Sequence, residues 1–233
     1  MLEIIQQLGG VDTQAFLCLN HLHATFWDYF MYIYSGKFVW IPFYLSFLVV
    51  MFKNFPWKAN VECLLLIGLI ILACDQTASG LLKPLVERMR PSNPDNPISP
   101  LVHVVNGYRG GRFGFPSSHA ANTWGLAFFA MYLARRKQLT LFLSLWALLM
   151  CYSRIYLGVH YPGDVLVGTV IGFCMASLFY NIFQRVKGEH ARIFKPTSGK
   201  LEYAPLPLIT GSASILLILV ASGIMTLIGY QFN

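Results

Sequence analysis

The residues of this sequence best suited to chemistry are a histidine and an aspartate four positions apart, His160 and Asp164, in the stretch SRIYLGVHYPGD. On a helix, a spacing of four brings two side chains to one face, within reach of each other. A carboxylate so placed can keep one imidazole nitrogen protonated and direct the other toward a substrate. The pair therefore indicates a nucleophilic histidine, although it could equally form a simple hydrogen bond between two helices.

Three basic residues accompany this pair. Arg154 lies six positions before His160, and Lys83 and Arg90 are seven apart, which is two helical turns and returns close to one face. Together they indicate a site for an anion, and the alternative is an ordinary basic rim facing lipid headgroups. Three further arginines lack such a pattern and are expected to play that ordinary role: Arg88, Arg109 and Arg112.

A third group of residues is PSSH, residues 116–119, which comes directly before an apolar run. Pro116 and two serines at a helix start leave backbone N–H groups and a hydroxyl free on one face. Such a helix start binds phosphate well. Ser117, Ser118 and His119 are therefore candidates for a phosphate site, and a serine cap beside an incidental histidine stays open as the alternative.

The elements that carry these residues follow from the composition. The chain has 233 residues, of which 56% are hydrophobic and only 12% are charged, which is too apolar for an ordinary soluble domain. We expect one integral-membrane domain, residues 1–233, with its motifs within 83–164. The 17 basic against 10 acidic residues could suggest nucleic acid, but the basic residues punctuate apolar segments instead of covering a soluble surface, so we expect a lipid partner and no nucleic acid.

The apolar runs predict an all-α, polytopic membrane helical bundle of about six transmembrane helices, preceded by an N-terminal interfacial helix within residues 2–28. The predicted spans cover residues 29–52, 63–82, 117–134, 138–153, 165–184 and part of 204–230. Pro84 is expected to break the second span just after Lys83. Asp75, inside that span, is expected to pair with a polar group of a neighbouring helix. Residues 91–115, rich in Pro and Gly, predict a long loop.

The distribution of basic residues predicts the orientation. Six spans place the loops at 83–116 and 154–164 on one side, and the turns at 53–58, 135–137 and 185–200 on the other. Ten basic residues then fall on the turn side: Lys53, Lys58, Arg135, Arg136, Lys137, Arg185, Lys187, Arg192, Lys195 and Lys200. Seven fall on the motif side: Lys37, Lys83, Arg88, Arg90, Arg109, Arg112 and Arg154. The positive-inside rule then places the motifs and both termini outside the cytoplasm.

Taken together, the three motifs resemble the type 2 phosphatidate phosphatase superfamily, which includes lipid phosphate phosphatases and vanadium haloperoxidases. Its pattern is K-x6-R-P, then P-S-G-H, then S-R-x5-H-x3-D. The matching positions are Lys83, Arg90 and Pro91, then Pro116, Ser117 and His119, then Ser153, Arg154, His160 and Asp164. Ser118 stands where the family usually has glycine.

The resemblance implies a bacterial integral-membrane phosphatase that uses no metal or other cofactor and forms a phosphohistidine intermediate. By this analogy His160 attacks phosphorus, Asp164 orients it, and His119 protonates the leaving oxygen and later activates water. The phosphoryl oxygens would be held by Lys83, Arg90, Ser117, Ser118 and Arg154. The sequence contains no carboxylate cluster typical of a Mg²⁺ or Zn²⁺ site.

We therefore expect a lipid phosphatase of the cytoplasmic membrane with its active site facing the periplasm or cell exterior. Its substrate would be a polyprenyl diphosphate such as undecaprenyl diphosphate, a phosphatidate, a phosphatidylglycerol phosphate or a lipid A phosphate, reaching the site laterally between helices. A haloperoxidase is disfavoured because those relatives are soluble. A transporter or non-catalytic anion-binding membrane protein is disfavoured by the lack of an internal repeat and by the His–Asp pair. The sequence assigns no oligomeric state.

Overall fold

A computed structural model describes residues 2–187 and 202–232. Within these residues the regular structure is helical, and the only β pairing is an isolated bridge between Met89 and Phe113. The predicted all-α class is confirmed. Most of the predicted turn at 185–200, with Arg192, Lys195 and Lys200, lies outside the described residues.

The described helices follow one another with short connections, apart from the long loop between α5 and α6 and the stretch between α8 and α9, most of which lies outside the described residues. Their bounds are α1 (Leu2–Asn20), α2 (Thr25–Ser35), α3 (Ile41–Asn54), α4 (Trp57–Asp75), α5 (Lys83–Val86), α6 (Ser118–Ala134), α7 (Lys137–Tyr156), α8 (Pro162–Lys187) and α9 (Leu206–Leu227).

The bundle has the helices of a polytopic membrane protein. By length and hydropathy, four segments of the described chain could cross a membrane: Trp57–Val86, Lys137–Tyr156, Pro162–Arg185 and Leu206–Leu227. The pair α2 and α3 adds a fifth crossing if it counts as one bent span. Helix α6, with 17 residues, lies at the lower limit of what a bilayer requires. The chain is therefore an integral membrane protein.

The first predicted span is not the continuous helix that residues 29–52 suggested. Helix α2 ends at Ser35, Gly36 takes an extended conformation with ψ of 148°, and the chain bends by 67° before α3. The broken end is satisfied locally, because the indole nitrogen of Trp40 donates a 2.9 Å hydrogen bond to the carbonyl of Tyr34. The break leaves the Ser35 hydroxyl free to turn toward α7.

The second span continues through Pro84 instead of breaking there, so that prediction is wrong. After Asp75 the helix widens into a π-helical segment, Gln76–Leu82, in which the amide of Lys83 reaches back to the carbonyl of Ala78. Pro84 then lies in the first turn of α5, where a missing N–H costs little. The π segment is the kind of local irregularity that often accompanies a functional site.

Helices α6 and α8 approach each other closely through glycines of α8. A Cβ atom added at Gly172 would lie 2.6 Å from the carbonyl oxygen of Ala121, and one at Gly168 would collide with the carbonyl oxygen of Ser117. Small residues four apart allow this backbone-to-backbone contact in membrane helices. The contact fixes the start of α6 against the start of α8, and these two helix starts carry PSSH and Asp164.

A cluster of aromatic side chains holds α7 against α2 and α3. Tyr34, Trp40, Phe43 and Trp146 are all buried, and the rings of Trp40 and Trp146 meet edge-on at 5.6 Å. Such pairs add to the stabilisation that burial alone provides. This cluster supports the helix that carries Arg154 at its C-terminal end.

Candidate active site

The structure brings His160 and Asp164 together. Nδ1 of His160 is 3.4 Å from Oδ2 of Asp164, and the two side chains are 1% and 0% exposed. The two residues do not share a helix, contrary to the geometry expected from their spacing, because α8 begins at Pro162. Asp164 instead lies in the first turn of α8, where Oδ2 accepts a 3.0 Å hydrogen bond from the amide of Tyr161. The carboxylate is thus fixed by the helix start and faces the imidazole.

The neighbours of His160 also determine its tautomer. Nη1 of Arg90 lies 3.2 Å from Nε2 of His160, and a guanidinium can only donate hydrogen bonds. Nε2 must therefore be the accepting nitrogen, and the ring proton belongs on Nδ1, the atom that faces Asp164. The Nε2 lone pair points toward the cationic side of the site.

The protonation state of His160 follows from its surroundings. Burial lowers the pKa of His160 well below 6.5, and the charges of Arg90, Arg154 and Lys83 lower it further. At neutral pH the imidazole is therefore uncharged, which is the form a nucleophile requires.

Arg88 contacts Asp164 directly, although its spacing in the sequence indicated only an ordinary basic residue. Its Nη1 lies 2.9 Å from Oδ1 of Asp164 and 2.7 Å from Oδ2 of Asp12 on α1. Asp12 also accepts a 2.8 Å hydrogen bond from the amide of Gly163. The prediction that Arg88 is an ordinary basic residue of the membrane rim is therefore wrong. No pattern in the sequence could have linked residues 12, 88 and 164, because only the fold brings them together.

Arg154 is only 2% exposed at the end of α7. Its Nη1 donates to the hydroxyl of Ser35 at the break after α2, and its Nη2 donates to the hydroxyl of Tyr108 at 3.1 Å. These bonds aim the guanidinium, and its charge acts on both Arg90 and His160. The other two loop arginines contact loop residues: Arg109 donates to Ser92 and Ser99, and Arg112 packs on the ring of Phe113. Their expected role at the lipid headgroups stays a prediction.

Lys83 is held by two hydroxyl groups. Its Nζ donates to Ser79 Oγ at 3.1 Å and to Ser118 Oγ on α6. Ser79 in turn donates a 3.1 Å hydrogen bond to Asp75. Asp75 thus has its partner on its own helix and not, as expected, on a neighbouring one. A row of polar side chains along α4 leads to Lys83, and Ser79 is a member that the motif did not indicate.

Ser117 is the N-cap of α6, and both of its polar groups are already bonded. Its hydroxyl accepts a 3.3 Å hydrogen bond from the amide of Ala120, and its amide donates to the carbonyl of Asp164 at 2.9 Å. The amides of Ser118 and His119 belong to the first helical turn, where helix geometry offers no partner. Ser117 therefore positions these donors, and a direct contact of its hydroxyl with phosphate stays a prediction.

His119 lies at the start of α6 with its side chain exposed. The His119 imidazole interacts electrostatically with the positive charges of three residues, and with His160. The three residues are Arg154, Arg90 and Lys83. The structure thus places the second histidine in the same electrostatic environment as the first, on the open side of the site. This arrangement can bind an anionic phosphoryl group beside a neutral imidazole nitrogen, with a second imidazole available for proton transfer.

The chain matches the family model described as the PAP2 superfamily over residues 62–187. A lipid A 4'-phosphatase of Bacteroides thetaiotaomicron is 46% identical over 183 residues, which are 78% of this chain and 81% of that protein. A lipid A 4'-phosphatase of Porphyromonas gingivalis is 35% identical over 178 residues, 74% of this chain and 73% of that protein.

Two solved membrane proteins share the fold. The crystal structure of Aquifex aeolicus LpxE covers 72% of this chain and 94% of its own, with a TM-score of 0.56 and 23% identity. The PAP2-type phosphatidylglycerolphosphate phosphatase of Bacillus subtilis covers 78% of this chain and 89% of its own, with a TM-score of 0.57 and 23% identity. At this identity the likeness concerns the fold.

Proposed function

The chain belongs to the PAP2 superfamily and is a membrane lipid phosphate phosphatase, and from this premise we propose that it removes the 4'-phosphate of a lipid A-type glycolipid through a phosphohistidine on His160. The observation that carries the choice of substrate is the 46% identity to a lipid A 4'-phosphatase across most of both chains. Among the lipids expected from the sequence, this favours lipid A phosphate over undecaprenyl diphosphate, phosphatidate and phosphatidylglycerol phosphate.

In the first step, Nε2 of His160 attacks phosphorus. The negative charge of the bound phosphate monoester favours the protonated form of His119. The bond between phosphorus and the lipid oxygen breaks, and His119 gives its proton to that oxygen, so the lipid leaves as a neutral alcohol. The imidazole becomes positively charged as the P–N bond forms. Asp164, 3.4 Å from Nδ1, stabilises that charge and keeps the ring oriented.

In the second step, the now neutral His119 takes a proton from water while the water oxygen attacks phosphorus. The P–N bond breaks, and its electron pair returns to Nε2. Inorganic phosphate leaves, His160 is again neutral and His119 is again protonated. Over the whole cycle, the lipid phosphate and one water molecule become the lipid alcohol and inorganic phosphate, and the enzyme is unchanged.

The positive groups of the site stabilise the charge that develops on the phosphoryl oxygens. Lys83, Arg90 and Arg154 supply fixed charge, and the Ser118 amide supplies a helix-start donor. Each preorganised donor of this kind typically contributes about 10² to 10³ in rate. All of these stabilising positive charges and dipoles belong to the protein's own side chains and backbone.

We further propose that the protein lies in the cytoplasmic membrane with this site facing the periplasm. The support is the split of ten against seven basic residues between the two sides and the position of every motif at one end of the bundle.

The proposed function is tested by phosphate release from the purified protein in mixed micelles with EDTA. Hexa-acylated lipid A is compared with undecaprenyl diphosphate, phosphatidate and phosphatidylglycerol phosphate, and mass spectrometry identifies which phosphate lipid A loses. We expect lipid A to be hydrolysed with the highest kcat/KM and to lose the 4'-phosphate. Release from another lipid but not from lipid A would overturn the substrate assignment.

A further inference from the structure

Helices α4 and α6 run antiparallel, so each turn of one helix faces a turn of the other. At the phosphate end, Ser79 Oγ and Ser118 Oγ are 2.8 Å apart. Two turns further from that end, Ile71 and Leu126 line the same cavity. The serine pair thus lies two helical turns above the residues that line the cavity.

Asp75 and Asn122 occupy the level between these two contacts. Asp75 lies one turn below Ser79 on α4, and Asn122 lies one turn below Ser118 on α6. One turn corresponds to about 5.4 Å along the helix. The two side chains thus mark a polar level one helical turn beneath the groups that hold Lys83.

The oxygen atoms of Asn122 and Asp75 could accept more hydrogen bonds than they receive. Oδ1 of Asn122 is buried and finds no hydrogen-bond partner in the described part of the chain. An ionised carboxylate accepts at about four positions, and across residues 2–187 and 202–232 the one side chain that donates to Asp75 is Ser79. A buried polar atom without a partner is costly, which makes a ligand atom the natural partner for Asn122.

Below the polar level lies an apolar groove between α3, α4 and α6. Its volume is about 480 Å³, and Asn122 and Thr123 stand at its upper end while Ala134 stands at its lower end. From Asn122 to Ala134 the groove follows α6 for about 18 Å at 1.5 Å per residue. A groove of this size and lining, at membrane depth and with Asn122 one helical turn from Ser118, suits the acyl chain of the substrate.

We infer that Asp75 and Asn122 form a subsite that selects lipid phosphates with a hydrogen-bond donor, a hydroxyl or an amide N–H, between the phosphate and the acyl chain in this groove. The inference rests on the proposed function, because it concerns the substrate of the same site. A sugar or amide-linked lipid offers such donors, whereas a glycerolipid offers ester oxygens, which only accept, and a polyprenyl chain offers neither.

The subsite discriminates between lipids because they differ in how many hydrogen bonds they can donate to Asn122 and Asp75. A donor-bearing lipid satisfies Asn122 Oδ1 and the free positions of Asp75. A diacylglycerol phosphate brings ester carbonyls against these oxygens and leaves all of them unpaired. Sites built to hydrogen-bond a substrate group discriminate strongly against analogues that lack the group.

The test compares two lipids with matched acyl lengths. Ceramide 1-phosphate carries an amide N–H and a hydroxyl near its phosphate, and phosphatidate carries two esters. The purified full-length wild type, Asn122→Leu and the control Asn181→Leu, which makes the same change at an exposed position of α8, are assayed in the same micelles. The measured quantity is the ratio of kcat/KM for ceramide 1-phosphate to kcat/KM for phosphatidate.

We expect the wild type and Asn181→Leu to favour ceramide 1-phosphate, and Asn122→Leu to lower the ratio about tenfold, as for the loss of one hydrogen bond. If Asn122→Leu does not fold, Asp75→Asn is measured, and the same fall in the ratio is expected. A ratio that stays within about twofold of wild type in the folded variant would overturn the subsite. Failure of the wild type to release phosphate from lipid A and from both test lipids would instead overturn the proposed function.

Discussion

Arg88 donates a 2.9 Å hydrogen bond from Nη1 to Oδ1 of Asp164, the carboxylate that faces His160. The same nitrogen lies 2.7 Å from Asp12 on the N-terminal helix, and the guanidinium stacks 3.8 Å above the ring of Tyr161. Arg88 is thus a positioning residue, since it acts on the imidazole through Asp164. Helix α1 takes part in holding the site, beyond the interfacial role that its sequence indicates.

The first prediction concerns this arginine. Arg88→Leu should lower kcat about ten- to a hundredfold, the effect of losing a charge-assisted hydrogen bond to the orienting carboxylate, while KM changes much less. Asp12→Asn should have a smaller effect in the same direction, because the amide oxygen can still accept from Gly163. Steady-state kinetics on lipid A give both parameters.

The matched control is Arg112→Leu, which removes an exposed arginine of the same loop. We expect it to behave as wild type. If Arg88→Leu raised KM and left kcat unchanged, Arg88 would be a substrate-binding residue, and the positioning role would be wrong.

The second prediction concerns metal independence. Because Lys83, Arg90 and Arg154 provide the positive charge around His160, activity should be the same with and without EDTA. Vanadate should compete with substrate, since it adopts the pentacoordinate geometry of the transition state. Loss of activity on chelation and recovery with Mg²⁺ would contradict this assignment of the cations.

The helices follow from the apolar runs, but two local features do not. The 67° bend after α2 depends on where Gly36 and the Trp40 indole fall in three dimensions, and a hydropathy profile cannot sense this. The passage of the second span through Pro84 depends on a π segment that widens the helix before it. Both features serve the site, because the bend presents Ser35 to Arg154 and the π segment aligns Ser79 with Lys83.

Most of the candidate site was predictable because its residues lie at recognisable spacings. His160, Asp164, Lys83, Arg90 and Arg154 all belong to short motifs. The residues that support them are different, because their positions are not fixed by the motifs and they act through contacts that only the fold creates. Asp12, Arg88 and Asn122 are of this kind: the ion pairs with Asp12 and Asp164 identify Arg88, and the packing of α4 against α6 identifies Asn122.

The third prediction concerns topology. In a variant without its native cysteines, Asp95→Cys in the long loop should react with an impermeant thiol reagent in cells whose outer membrane has been permeabilised. Arg136→Cys, in the exposed turn between α6 and α7, should react only after the inner membrane is opened. The reverse labelling would place the active site in the cytoplasm.

The fourth prediction separates the two histidines by their leaving-group dependence. His119→Ala removes the proton donor, which typically contributes about 10² to 10⁴ in rate, and this matters most for a poor leaving group. The kcat/KM for lipid A, which reports the steps up to departure of the leaving group, should therefore fall by that order, while kcat/KM for p-nitrophenyl phosphate, whose leaving group needs no proton, should fall much less. Equal losses on both substrates would contradict the role of His119 as general acid.

The central claim is that Nε2 of His160 forms a covalent bond to phosphorus, and rapid-quench trapping with ³²P-labelled lipid A tests it most directly. Wild type mixed with substrate and quenched in alkali within milliseconds should contain labelled protein whose phosphate is lost in acid, as expected for a phosphoramidate. His160→Ala should contain none. Label that persists in His160→Ala, or that is stable in acid, would contradict the assignment of His160 as the nucleophile.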